Sequence, residues 1–216
     1  MEQKVIAILG MGIGISLSVA HLFGEHGFKV AMFSRNEQNL QGFANELKAK
    51  KIKSYCYVAN VGDERGLADA LKRAERDLGS IDVMFYNAAK LKLKYILDES
   101  SDSLADDFKI NVGGALTATN TLVPGMIKRG KGSLLFTGGG FAVQPNADFG
   151  SLSLGKAALR SLTQLFRLAL AGKPIQIASV IVCGMVSTYD ERYNPNQIAK
   201  QFWECYQKGE NEEVIY

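Results

Sequence analysis

The sequence is poor in the residues from which metal centres and disulfide frameworks are built. Cysteine occurs three times, as Cys56, Cys183 and Cys205. That is an odd number, at spacings that match neither a disulfide framework nor a zinc site. Reduced thiols in a cytoplasmic protein are the corresponding expectation. Histidine occurs twice, as His21 and His26 in one early segment. Both read as helix-surface residues, and no metal is expected. Blocks of like charge are missing too. The net charge is +3, spread along the chain, which leaves no electrostatic case for nucleic acid or a membrane surface. Lys90, Lys92 and Lys94 alternate with Leu91 and Leu93. They read as a solvated loop or strand edge, with contact to an acidic ligand as the alternative. No hydrophobic run has the form of a membrane span. Val5 to Phe23 is mostly apolar, but Gly10, Gly12 and Gly14 fall at alternate positions and would break up the helix of a signal peptide or span. Repeats, low-complexity linkers and composition shifts that would mark a domain boundary are absent.

What is present is the composition of an ordinary globular domain. The chain has 216 residues, of which 47% are hydrophobic and 22% charged, enough for one domain with a full core. Apolar runs suited to strands occur at Val5–Leu9, Lys29–Phe33, Lys53–Val58, Asp82–Tyr86, Ser133–Thr137 and Gln176–Val182, with a short last strand at Val214–Tyr216. Runs this continuous suit strands buried on both faces. Between them lie amphipathic segments: Ile15–Glu25, Glu37–Ala49, Asp63–Leu78, Ser151–Ala171 and Asn194–Lys208. One long helix is expected from Ser101 to Arg129, with Leu104, Phe108, Val112, Leu116, Leu122 and Met126 at roughly helical spacing. Pro124 should kink it or start its last turn. Phe202 and Trp203 read as core or subunit-contact residues. The alternation predicts an α/β fold: a Rossmann-type, doubly wound parallel sheet in a single domain.

The first βα turn reads Leu9-Gly10-Met11-Gly12-Ile13-Gly14-Ile15-Ser16. Glycines let a backbone approach a pyrophosphate closely, and the helix that follows offers unpaired N–H groups and a partial positive charge. The turn follows a hydrophobic strand and opens a helix, the context in which such a motif binds a dinucleotide. A tight turn without a ligand is the alternative. The second strand ends at Ser34-Arg35, with no carboxylate before Glu37. A carboxylate there would hold the ribose hydroxyls of NAD, whereas a guanidinium pairs with the 2′-phosphate of NADP. The expected cofactor is therefore NADP(H).

At this point the whole chain resembles the short-chain dehydrogenase/reductase family. The family's Gly-x-x-x-Gly-x-Gly turn corresponds to Gly10, Gly14 and Ser16, with the last glycine replaced. Asn60-Val61-Gly62-Asp63 looks like its Asp-Val adenine-contacting stretch. Tyr86-Asn87-Ala88-Ala89 resembles its Asn-Asn-Ala-Gly motif, and Asn111 its active-site asparagine. Cys183-Gly184-Met185-Val186-Ser187-Thr188 resembles Pro-Gly-x-Val-x-Thr, whose threonine contacts the nicotinamide carboxamide. The resemblance implies cofactor contacts from Gly10, Gly12, Ile13, Gly14, Ile15, Ser34, Arg35, Asn60, Val61, Asn87, Ala88, Ala89, Lys156 and Thr188, and catalytic roles for Asn111 and Lys156.

Two of the family's catalytic groups have no counterpart. A tyrosine that exchanges the substrate proton stands in that family four residues before the lysine, and here the position is Leu152. The serine that polarises the carbonyl falls at Gly139, or at Gly138 with a one-residue shift. Leucine transfers no proton, and a positioned general acid contributes about 10²–10⁴-fold. Substitutes to weigh are Ser151 and Ser153, Tyr189 and Tyr193, or Lys156 itself if burial lowers its pKa. The triple glycine Gly138–Gly140 leaves space above the nicotinamide. Little chain follows Thr188, so the substrate-covering segment is short, which implies an open pocket or one completed by another subunit. The family's use of the two long helices as a dimer interface implies a homo-oligomer. Three readings remain: an NADP(H)-dependent oxidoreductase with altered acid–base machinery acting on an unknown, conjugated or quinone-like acceptor; a non-catalytic NADP(H)-binding sensor or regulator; and a structural subunit.

Overall fold

The structure, a computed structural model, describes residues 3–216. Met1 and Glu2, which begin the expected domain, lie outside the described residues. The strands are β1 (Val5–Leu9), β2 (Lys29–Ser34), β3 (Ser54–Val58), β4 (Val83–Tyr86), β5 (Gly132–Gly139), β6 (Ile175–Val182) and β7 (Glu212–Ile215). The helices are α1 (Ile15–Glu25), α2 (Glu37–Ala49), α3 (Glu64–Leu78), α4 (Ser101–Phe108), α5 (Gly114–Arg129), α6 (Gly150–Ala169) and α7 (Pro195–Lys208). All seven strands are parallel, in the order β3-β2-β1-β4-β5-β6-β7. The order reverses between β1 and β4, and ligands of such sheets bind beyond the carboxyl ends of the strands at that switch point.

Strands β1, β4 and β6 are buried throughout, which explains why they read as unbroken apolar runs. Helices cover both faces. On one face Leu71 of α3, Leu122 and Met126 of α5 and Phe166 of α6 pack on Tyr86 and Phe136. On the other, Phe23 of α1, Leu40 of α2 and Phe202 of α7 pack on Met32 and Phe85. Phe202 is thus core, and Trp203 packs edge-on against Phe23. Side chains start several helices: Asn36 accepts from Asn39 N (2.9 Å), Asp63 from Gly66 N (3.1 Å) and Asn194 from Gln197 N (3.0 Å). His21 sits on α1 beside Glu46 (2.8 Å), and His26 ends that helix.

Two expectations need correction. The long helix is interrupted: a π turn at Lys109–Gly113 separates α4 from α5. The turn changes which residues face inward, so Asp107 is buried while Phe108 and Leu116 are exposed. Pro124 lies inside α5, which runs on to Arg129. Lys92 is not a solvated side chain. It lies half-buried in an ion cluster, 2.6 Å from Asp107 and 2.7 Å from Glu99. Lys94 joins it at 3.2 Å from Glu99, and its backbone forms a bridge to Phe149.

Candidate active site

The turn after β1 leaves no room for a side chain at Gly10. Gly10 has φ +86°, and a Cβ there would stand 2.6 Å from Ala88 Cα, the residue after Asn87. Gly10 N and Met11 N both donate to Phe33 O at 3.1 and 2.8 Å, tying the turn to β2. Gly14, at φ +90°, precedes α1 and offers no side-chain cap. The first N–H groups of α1 are therefore free for an anion. Ile13 projects from the turn, 85% exposed. Ser16 is the residue that motif reading undervalued. It is fully buried; its Oγ donates to Gly10 O (2.8 Å) and accepts from Asn87 Nδ2 (2.8 Å). A hydroxyl in place of the third glycine was the available signal, and it links the turn to the end of β4.

Beside this turn lies a cavity of about 220 Å³ at the switch point. It brings together Gly10, Ser34, Arg35, Asn60, Val61, Asn87, Ala88 and Ala89 from four strand ends, joined by Met11, Ala59 and Ile110. Arg35 is exposed and makes no ion pair among the described residues. Gly12, Ile13, Gly14 and Ile15 sit on the adjoining turn rather than in the cavity wall. Thr188 lies apart from it, exposed in the loop after β6. Larger hollows of about 470 and 570 Å³ exist elsewhere, between α2 and β3 and at the amino ends of β5 and β6. Neither meets the carboxyl ends of the central strands.

Lys156 lies against the carboxyl-terminal part of β5, and Asn111 packs against Gly155, the residue before it. Lys156 Nζ donates to Thr137 O at 2.8 Å and has no carboxylate partner among the described residues. Burial of the ammonium pushes its pKa down to about 8. A Cβ on Gly139 would lie 3.4 Å from Lys156 Cε, whereas one on Gly138 would run into Ile181. Gly139 is therefore the position that faces Lys156, which resolves the one-residue ambiguity. Leu152 is buried one helical turn before Lys156. Asn111 lies on the π turn. Its Oδ1 accepts from Lys90 N (2.7 Å), and its Nδ2 is buried with no hydrogen-bond partner. Gly155 makes room for it, since a Cβ there would stand 2.6 Å from Nδ2.

The other candidate proton donors are occupied elsewhere. Ser151 Oγ donates to Asp107 (2.7 Å), and Ser153 Oγ to Asn146 O (3.2 Å). Tyr193 lies over Gly184 and packs edge-on against Tyr216, 5.8 Å between ring centres. Tyr189 stands in solvent, 96% exposed. The site thus has a backbone cradle fit for a dinucleotide, an unpaired arginine beside it, and a lysine with an asparagine amide whose donors want acceptors. At the positions where the resemblance leads one to expect a tyrosine and a serine, the described residues are Leu152 and Gly139.

A family model described as short chain dehydrogenase matches residues 4–197, and the chain belongs to that family of NAD(P)-binding oxidoreductases. An uncharacterized oxidoreductase of Staphylococcus aureus (strain USA300) is 28% identical over 203 residues, covering 93% of this chain and 86% of that protein. One from Thermotoga maritima is 26% identical over 180 residues, covering 83% of this chain and 70% of that protein. Among solved structures, a short-chain dehydrogenase from Rhodopseudomonas palustris matches with TM-score 0.87 and 20% identity, covering 99% of this chain and 97% of that one. A metagenomic short-chain oxidoreductase in complex with NADP matches with TM-score 0.89 and 17% identity, covering 100% and 97%. At these identities the structures share the fold. No helix among the described residues is long and apolar enough to cross a membrane.

Proposed function

We propose that the protein is an NADP(H)-dependent oxidoreductase of this family with altered acid–base machinery, passing hydride to a conjugated or quinone-like small-molecule acceptor. The observation that carries the reading is the unpaired Arg35 at the mouth of an intact cofactor cradle. When bound, NADP(H) supplies the hydride. The chain's own groups do the rest: Gly10 to Ile15 hold the pyrophosphate against the start of α1, and Arg35 with Ser34 takes the 2′-phosphate. Asn60, Val61 and Asn87 to Ala89 line the adenosine side. Lys156 would bind the nicotinamide ribose, Asn111 would hold a water of the proton relay, and Thr188 would contact the carboxamide.

A conjugated acceptor suits this site for a physical reason. Hydride addition to a simple ketone leaves a strongly basic alkoxide that needs a positioned acid in the transition state. Addition to a quinone leaves a delocalised, phenolate-like anion that takes its proton from water afterwards. Leu152 and Gly139 tolerate the second reaction and not the first. The same two residues favour a second reading, a cofactor-binding sensor or regulator without turnover. The exposed Leu165 and Leu168 on the outer face of α6 support a homo-oligomer, and we place the protein in the cytoplasm.

The test is calorimetric titration with NADPH and NADH. NADPH should bind more tightly, and Arg35→Ala should weaken NADPH by about tenfold or more while changing NADH little, since a charge-assisted hydrogen bond contributes roughly 1.5–3 kcal/mol. Equal losses for both cofactors would remove the preference, and absence of binding would remove the reading.

A further inference from the structure

Two stretches that line the cofactor cavity come from neighbouring strands. Gly10 and Met11 belong to the turn after β1, and Asn87, Ala88 and Ala89 follow β4. The sheet joins these stretches only at their base. β1 and β4 pair as far as Leu9 and Tyr86, and Asn87 N adds one bond to Leu9 O (2.9 Å). Beyond that the turn's amides go to the other neighbour, Gly10 N and Met11 N both donating to Phe33 O of β2. Ser16 closes the gap. It is fully buried at the start of α1. Its hydroxyl has one proton, which goes to Gly10 O (2.8 Å) because a carbonyl only accepts. The Asn87 atom that meets Oγ at 2.8 Å must therefore donate, so it is Nδ2. Asn87 Oδ1 is the atom of that amide left without a partner among the described residues. One hydroxyl thus ties the helix start, the turn and the end of β4 together.

We infer that Ser16 is a positioning residue of the cofactor site: its hydroxyl holds the glycine turn to the Asn87–Ala89 stretch in the arrangement that receives the dinucleotide, and it leaves Asn87 with an acceptor to offer. The inference rests on the proposed cofactor reading and adds a residue that the turn motif does not contain, since the motif has glycine at this place. The physical argument is preorganisation. Gly10, Gly12 and Gly14 give the turn wide backbone freedom. Gly10 touches Ala88 so closely that no side chain could wedge the two apart or lock them together. Freedom that remains in the turn is lost when a ligand binds, at a cost to affinity. The two hydrogen bonds of Ser16 Oγ remove it beforehand. Without the hydroxyl, Gly10 O and Asn87 Nδ2 lose this partner, and the turn and the end of β4 move independently. A serine that only filled core space would change stability and leave affinity alone.

The test compares the full-length wild type with Ser16→Ala by calorimetric titration with NADPH and with NADH. Ser16→Ala should weaken both cofactors by the same factor, about fivefold or more, the effect of losing one neutral hydrogen bond. That pattern differs from the NADPH-selective loss expected of Arg35→Ala. Unchanged affinities beside a lower midpoint of thermal unfolding would assign Ser16 to stability alone and overturn the inference. Asn87→Ala breaks the same bridge from a half-buried position, and it carries the test if the alanine at the fully buried site prevents folding. Hydrogen exchange of the cofactor-free protein gives a second readout. Amides from Gly10 to Leu17 should exchange about fivefold or more faster in either variant than in the wild type, while those of β5 and β6 keep their rates. Equal exchange in the turn would overturn the inference. Wild-type binding that both variants share would remove this inference and leave the proposed function standing; a wild type that binds neither cofactor would remove both.

Discussion

Lys156 brings a positive charge into a pocket that offers its ammonium one carbonyl, Thr137 O, and no carboxylate among the described residues. An unpaired buried cation is destabilising, so Lys156→Met should raise the midpoint of thermal unfolding at pH 7 by roughly 2–6 °C while weakening NADPH binding. The sign of the pH dependence follows from the two ionisation equilibria. Unfolded, the amine titrates near 10.5; folded, near 8. Between those values the unfolded chain holds the proton and the folded chain does not, so wild-type stability rises with pH across that window. The advantage of the variant is full below pH 8 and should shrink as the pH climbs towards 10.5; a constant advantage would show that Lys156 is not desolvated. The neighbouring gaps give a second residue-scale prediction. Gly139 has room for a serine, whose Cβ would meet Lys156 in ordinary van der Waals contact. Gly139→Ser with Leu152→Tyr should therefore raise kcat/KM for simple aldehydes and ketones by about 10²-fold or more. No gain with cofactor binding intact would mean that the pocket has diverged beyond these two positions. At this scale the residue types were legible: leucine at 152 and glycine at 139 carry no proton-donating side chain. Whether Gly138 or Gly139 faces the lysine was not, since that depends on which side of β5 lies against α6.

At the scale of elements, strand cores and helix caps followed from local pattern: Asp63 starts α3 and Asn194 starts α7 as their side-chain chemistry requires. The stretch from Lys90 to Gly113 did not follow. Lys92 is half-buried against carboxylates while Leu91 and Leu93 are exposed, and Asp107 is buried while Phe108 is exposed. Each inversion is explained by a partner distant in sequence: Asp107 by Lys92 and Ser151, and Asn111 on the π turn by the space at Gly155. The cluster has an acid limb. Hydrogen bonding from Lys92, with Lys94 and Ser103 adding to it against the penalty of burial, pulls the Glu99 pKa down to about 2 from 4.5. A carboxylate depressed in this way stabilises the fold above its unfolded pKa, and that contribution disappears as the pH falls from about 4.5 towards 2. Thermal unfolding followed across that range should show a steeper fall for the wild type than for Glu99→Gln. Parallel curves would mean that the cluster adds nothing to stability.

The whole molecule is a single parallel sheet with its functional groups gathered beyond one edge, and its oligomeric state belongs to this scale. Leu165 and Leu168 stand on the solvent side of α6 with little apolar cover, and Leu116 of α5 is exposed as well. Sedimentation velocity should find a species heavier than one chain, and Leu165→Glu with Leu168→Glu should convert it to monomer without unfolding it, since both positions are exposed. A wild-type monomer at micromolar concentration would dismiss that interface.

Local chemistry was sufficient for the class of fold, the parallel strands, the glycine turn and the leucine at position 152. Those depend on hydrophobic periodicity, backbone freedom and the side chain at a single position. Packing between distant segments decided the rest. It set Ser16 as the link between the turn and β4, placed Gly139 against Lys156, brought Lys92 against Glu99 and Asp107 and left Asn111 Nδ2 without a partner. The reason is that most buried polar groups find their partner on another segment, and which segment arrives is a property of the folded chain rather than of any stretch within it.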